Sequence, residues 1–415
     1  MNFLPLTRHD ALSAWADFLP SITQYAKRRN HVESQHRNVS GLSAALRFRT
    51  ILEDEILRDS LQEHQFHSVE KWVQEVCWRR YWKGWLEGRP HVWDSWRQRV
   101  RELHETLPEA TLQRVQSVAA GKSGVACMDA IARELIDTGY VHNHARMWWA
   151  SYWIHAERLP WELGADVFYR HLLDADPASN TLSWRWVAGL QTPGKTYLVR
   201  ASNIEKYAPE LLLSDQSGIE RIADGAVAPI VATEFADTTR QSLVDYPATI
   251  PHSGRRVGIW LHTDDLVPEI GPLAKLAPVS VAALAHEDYS RNALALSERS
   301  IAAHAKALAD GLARAAAHFS CPTELITGND PAASIAAWAA NHRLEEVVAF
   351  APTIGPVADL LPDVRERLKS SGITLTLLRR ASDTHAFQLA GSGFFPFWEK
   401  MSRHLRDQKN LFADL

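Results

Sequence analysis

The stretch Thr138–Trp186 decides how this chain folds: TGYVHNHARM (138–147), an apolar run that includes Trp161, then DADPASNTLSWRW (174–186). It sets Asn143, Arg146, Asp174, Asp176 and Asn180 into segments that otherwise read as buried helices. A buried charge or amide is costly without a partner, so the cluster implies a polar ligand enclosed by the fold. Arg146 can neutralise Asp174 across two helices, and Asp176 and Asn180, four apart, share one helical face. Trp161, Trp184 and Trp186 supply stacking surfaces or an electron path. A bulky, planar, hydrogen-bonding cofactor such as a flavin meets this demand better than a metal.

Outward from that stretch, the chain changes character near residue 210. Before it, Trp, Arg and His are dense and apolar residues recur at helical spacing, as in VEKWVQEVCWRRYWKGWL (69–86). Residues 1–210 are therefore read as an all-helical domain, and the turn-rich 211–253 as a linker. Beyond it, strands and helices alternate. RVGIWLH (256–262), VSVAALAH (279–286), PTELITG (322–328), EEVVAFAP (345–352) and ITLTLLRR (373–380) read as strands. Helices are expected from Ser297 to His318, from Pro331 to His342, and ending near Ser371-Gly372. This alternation predicts a Rossmann-like doubly wound α/β domain over 254–415, with a C-terminal helical segment. Gly391-Ser392-Gly393 lacks GxGxxG spacing and reads as a turn, and no glycine-rich phosphate loop follows the first strand.

The chain has 415 residues, enough for two well-buried cores. Its 45 Lys and Arg against 49 Asp and Glu give a net charge of −4, so any nucleic-acid footprint must be a local patch. Cys77, Cys127 and Cys321 are far apart and make no metal-ligand spacing, which points to a reducing compartment and against a four-cysteine cluster. No apolar run approaches the ~20 residues of a membrane span, and MNFLPLTRHD lacks a signal-peptide layout; a cytoplasmic monomer is expected.

The 138–186 stretch resembles the flavin-binding half of the DNA photolyase/cryptochrome family, whose signature runs TGW-x-HN-x-x-RM and then D-x-D-x3-N-x3-W-x-W. The likeness extends to NVSGLSAAL (38–46), WVQEVCWRRYW (72–82) and AGLQTPGKTYLVRASNIEKY (188–207). The second half is similar to the same family's α/β domain, through the 297–318 helix, the 323–350 strand–helix–strand unit and GSGFFPFWEKM (391–401). In the family the α/β domain comes first. The order here implies a circular permutation, as in a permuted bacterial photolyase-like group associated with single-stranded DNA repair.

The resemblance implies FAD as cofactor. It assigns Val39, Ser40, Gly41, Leu42 and Ser43 to the diphosphate, where free N–H groups at a helix start favour anions, and places Tyr25 and Trp72 at further contacts. Arg79, Asn143, Arg146, Asp174, Ala175 and Asp176 match isoalloxazine and ribityl contacts, and Asn180 matches the residue beside flavin N5. Glu75, Trp78, Met147 and Trp186 match the walls of a pocket for a flipped cyclobutane pyrimidine dimer. The (6-4) photolyases carry histidines where this chain has Asn143 and Met147; His142 and His144 are offset from those positions and read as packing or surface residues. Trp184 and Trp161 match the first two members of an electron-transfer chain, whereas Pro108 stands at the third. The implied function is light-driven repair of cyclobutane dimers by electron transfer from reduced FAD, with UV-damaged, single-stranded DNA as partner. The alternative is a cryptochrome-like photoreceptor.

Overall fold

The computed structural model describes residues 4–192, 194–249, 254–285 and 295–407. Pro193 of the 188–207 segment, residues 250–253 closing the expected linker, His286 at the end of the second expected strand, and 408–415 lie outside these.

A helical half forms the first part of the chain. Its longest helix, Phe66–Glu87, buries Val69, Trp72, Val73, Val76, Cys77 and Tyr81, the i, i+3, i+4, i+7 positions of the periodic run. Pro90 then restarts the chain into the next helix, His91–Thr106. Helices Asn143–Ser151, Trp161–His171 and Pro177–Val187 pack with it into one aromatic-rich core. The 211–249 stretch is mostly irregular and runs across this half, tied down where Arg185 pairs with Glu234 and Arg99 lies over the Phe235 ring.

The α/β half is a five-stranded parallel sheet of order β3-β2-β1-β4-β5. The strands are β1 Val257–Leu261, β2 Ser280–Leu284, β3 Thr323–Ile326, β4 Glu346–Phe350 and β5 Thr374–Leu378. β1, β2 and β4 are buried throughout, as continuous apolar runs in a parallel sheet require. Their side chains alternate between two cores. Val257, Ile259, Leu261, Val281 and Ala283 pack with helix Glu298–Phe319, and Trp260, Ala282 and Leu284 pack with helices Pro331–Asn341 and Pro356–Ser370. Ser297 caps the first of these helices and Asp330 the second, each accepting a bond from the N–H three residues on. Strand order reverses between β1 and β4, where doubly wound sheets open a crevice at their carboxyl ends.

Two features join the halves. Helices Ala381–Leu389 and Phe394–Asp407 follow the sheet in sequence but pack on Phe66–Glu87; the second begins directly after the Gly391-Ser392-Gly393 turn. Their Phe387, Phe394, Phe397, Trp398, Met401 and Leu405 belong to the helical core, a stripe too apolar to leave in water. The short helix Ser43–Phe48 is shared in the opposite sense: Ala44 and Phe48 enter the sheet's core, whereas Ala45 and Leu46 enter the helical one. Among the described residues, no helix is long and apolar enough to cross a membrane.

Candidate cofactor site

A cavity of about 350 Å³ opens in the helical half. One wall is the Val39–Ser43 turn. Gly41 has φ +65°, a left-handed conformation that costs a side-chain-bearing residue but not glycine. Leu42 N–H donates to Ser40 Oγ at 3.4 Å, which tightens the turn before the helix that starts at Ser43. Ser43 Oγ is buried and has no hydrogen-bond partner. That helix has only six residues, so the anion-binding capacity of this wall rests on local N–H groups and the Ser43 hydroxyl.

The facing wall is the start of helix Asn143–Ser151. His142 caps it: Nδ1 accepts from the His144 N–H at 3.1 Å. A neutral imidazole accepting at Nδ1 carries its proton on Nε2, and that Nε2 is buried without a partner. Burial, with His36 and His144 nearby, pushes the His142 pKa down to about 3, so the ring is neutral at physiological pH. Asn143 stands exposed at the mouth and Met147 lies half-buried further in. Tyr25 and Arg29 complete the rim. Trp72 supports Tyr25 edge-on at 5.1 Å and fixes its own ring by donating Nε1–H to Ser60 Oγ.

Behind the turn lies a buried ionic network. Arg79 reaches the Ser43 carbonyl at 3.3 Å and pairs with Asp176. Asp176 is the N-cap of helix Pro177–Val187 and accepts from Ser179 N–H at 2.8 Å. Burial raises its pKa, but Arg79, Lys83 and Arg47 outweigh that and hold it at about 2. Ala175 between the two aspartates has φ +33°, strain of the kind that persists where surrounding contacts dictate the backbone. Arg146 lies 3.6 Å from Asp174 and donates Nε–H to the Val141 carbonyl at 2.8 Å. Asn180 donates Nδ2–H to the Ala165 carbonyl at 2.8 Å, which fixes the orientation of its amide.

The cavity therefore gathers Tyr25, Val39, Ser40, Gly41, Leu42, Ser43, Asn143 and Met147 of the expected set. Arg79, Arg146, Asp174, Ala175, Asp176 and Asn180 are not among its lining residues; Arg79 links Asp176 to the Ser43 carbonyl of the wall, Arg146 pairs with Asp174, and Asn180 is bonded to Ala165. Glu75 is one ion pair away, bridged to the rim through Arg29 at 3.2 Å and held by Lys71 at 3.0 Å. Trp78 is set apart: its ring lies face to face on Phe394, centroids 3.5 Å apart, within a cluster that includes Tyr81 and Trp82. Trp186 packs on Tyr197 at 5.9 Å. Trp184 is buried against Trp149, Trp153 and Phe168, so closely past Gly164 that a Cβ there would lie 2.4 Å from the indole. Trp161 starts its helix with Nε1 buried and unbonded, and Pro108 N-caps helix Glu109–Ala119.

The sequence reading placed His142 and His144 among packing or surface residues. Both are buried, and both line the cavity. His142's place at the residue before a helix start was the available signal. Arg29 was also missed, although it follows Tyr25 by one helical turn. Lys83, one turn past Arg79, is 2% exposed with Nζ unbonded, a charge that an apolar helix face could have flagged.

Residues 72–211 match the family described as the FAD binding domain of DNA photolyase. The chain is 27% identical over 200 residues to a deoxyribodipyrimidine photo-lyase of Neurospora crassa, covering 46% of this chain and 32% of that one. It is 28% identical over 215 residues to one of Synechococcus sp., covering 46% and 43%. Among solved structures it is similar to a bacterial class III photolyase of Agrobacterium tumefaciens, with 24% identity, a TM-score of 0.42, and coverage of 49% and 43%. The chain spans less than half the length of each of these relatives. The match over residues 72–211 makes that part of the helical half similar to a photolyase FAD-binding domain, and the cofactor is FAD. The residues fit it: the cavity offers two buried hydrogen-bonding atoms without protein partners, Ser43 Oγ and His142 Nε2, beside a turn left open by Gly41.

Proposed function

We propose that this protein repairs cyclobutane pyrimidine dimers in DNA in a light-driven reaction, with single-stranded DNA as its preferred partner. The observation that carries this reading is the meeting, at one cavity of a photolyase-type FAD domain, of Asn143 and Met147 with the Arg29–Glu75 pair. Bound and reduced, FAD supplies an electron donor that light makes strong enough to open a cyclobutane ring. The protein's part is binding, orientation and electrostatics.

In this reading Val39–Ser43 hold the diphosphate. Arg79, Asn143, Arg146, Asp174 and Asp176 hold the ring and ribityl, and Asn180 presents Oδ1 to N5. Glu75 stabilises the lesion by hydrogen bonding, with Met147, Trp78 and Trp186 as walls. Phe394 already covers one face of Trp78, so a lesion meets the opposite face or edge. Trp184 and Trp161 carry electrons toward FAD, and Trp149 and Trp153, already in ring contact with Trp184, extend the path in place of the residue that Pro108 lacks.

We also propose that the two halves stand in permuted order, a helical domain over 1–210, a linker over 211–253 and an α/β domain over 254–415. The parallel sheet following, in the chain, the half that carries the 72–211 match supports this. A net charge of −4 suits a small footprint on a single strand better than a long track along a duplex. Glu75→Ala tests the site: repair should fall at least tenfold while the FAD content stays at the wild-type level. Undiminished repair would remove Glu75 from the lesion pocket.

A further inference from the structure

The crevice at the β1/β4 switch point is where a doubly wound sheet would take a ligand. Here it is filled by the helical half. Asp264, just past β1, accepts from the Thr353 N–H at 2.9 Å and so ties together the loops that follow β1 and β4. Its other oxygen takes Arg47 Nη1 at 2.7 Å, and Arg47 also reaches the Thr263 carbonyl at 3.3 Å. Arg49 makes a two-pronged pair with Asp383, both bonds 2.7 Å, and reaches Asp265 at 3.2 Å. Arg380 holds Asp265 from the far side at 2.8 and 2.9 Å. All six side chains are buried. The Phe48 carbonyl accepts from the Leu266 N–H at 3.0 Å, and the Phe48 ring meets His304 edge-on.

Arg47 and Arg49 belong to the segment that begins as the cavity wall. Ser40 to Ser43 line the cavity; four residues beyond Ser43, Arg47 is planted in the sheet. Ser43 and Arg47 stand on the same six-residue helix, one turn apart. A two-pronged, fully buried arginine–carboxylate pair fixes geometry in a way that a surface pair cannot.

We propose that the α/β half is a clamp on the cofactor loop: the acids of the switch-point crevice grip Arg47 and Arg49, and through them hold Val39–Ser43 in the conformation that retains FAD. Asp264, Asp265 and Asp383 are positioning residues; they do not touch the cavity. The proposal rests on FAD binding at that cavity, which the wild-type control tests separately.

The experiment compares the rate of FAD loss from the purified full chain, followed as the rise of flavin fluorescence on dilution, with hydrogen exchange of residues 39–48 in the same FAD-loaded samples. Asp264→Asn and Arg47→Gln should each speed FAD loss at least tenfold and expose the 40–46 amides. The double variant should be no worse than the worse single one, and Asp264→Glu should recover part of the loss. Glu87→Gln is the control, because Glu87 pairs with Arg379 and also joins the halves but makes no ion pair with Arg47 or Arg49. It should lower Tm yet leave the FAD loss rate within twofold. If Asp264→Asn does not fold, Thr353→Val, which removes only a 3.2 Å bond to Asp264, takes its place with a smaller effect in the same direction. Equal FAD loss in the Glu87 and Asp264 variants, or a folded Asp264→Asn with wild-type retention, overturns the clamp. A wild-type chain that binds no FAD overturns the cofactor assignment instead.

Discussion

At the scale of single residues, His142 shows how one ring is set by its neighbours. Its Nδ1 is engaged by the His144 N–H, and burial beside His36 and His144 keeps it neutral down to about pH 3. The unfolded chain takes up that proton near the ordinary value of ~6.5. Proton uptake therefore favours unfolding at any pH below ~6.5: the native state is at full strength above it and weakens as pH falls toward 3. Between pH 6.5 and 5 this amounts to about 2 kcal/mol. His142→Gln should remove that share of the acid sensitivity, measured as the difference in unfolding free energy between pH 7 and pH 5; an unchanged difference would assign the sensitivity elsewhere. Asp176 does not confuse the test. Its carboxyl titrates at about 2 in the folded protein, so its contribution is complete above ~4 and is lost only as pH falls toward 2. Part of this scale was readable in advance, as in Arg146 facing Asp174; Asp176 and Asn180 were expected on one helical face, but Asp176 is the extended N-cap of the helix that carries Asn180. Lys83 and the tautomer of His142 were not readable, because each depends on contacts made only when distant segments meet.

Among elements, the strand and helix boundaries of the α/β half follow from local signals. Ser297 and Asp330 cap the helices that their positions announce, and all five expected strands form. The packing of Phe394–Asp407 was beyond that kind of reading. Its apolar stripe says that the helix must be covered, but nothing local says that Phe394 lands on Trp78, 316 positions earlier in the chain. A single glycine makes the neighbouring contact possible. Gly84 lets helix Ala381–Leu389 approach Phe66–Glu87 so closely that a Cβ would stand 2.7 Å from the Phe387 backbone. Backbone cannot swing aside as a side-chain tip can, so Gly84→Ala should cost about 1–3 kcal/mol or more through overpacking. Thermal unfolding checks this. A variant as stable as the parent would mean that the two helices can separate without loss.

For the whole molecule, the helical half and the α/β half share one polar seam in which Arg47 and Arg49 of the first meet Asp264, Asp265 and Asp383 of the second. The two-part architecture was legible from the change in periodicity near residue 210. The seam was not, since Arg47 and Asp264 are 217 positions apart and become partners only through the fold. In the proposed account the seam and the cavity beside it frame FAD, and the use of that frame is repair of damaged DNA. The most direct test is an anaerobic assay with photoreduced, FAD-loaded protein under blue light, on oligonucleotides bearing a thymine dimer, single- and double-stranded, with dark controls. The account predicts that intact thymines return only in the light, and faster in the single strand. Flavin-loaded protein that restores neither substrate in the light would contradict it.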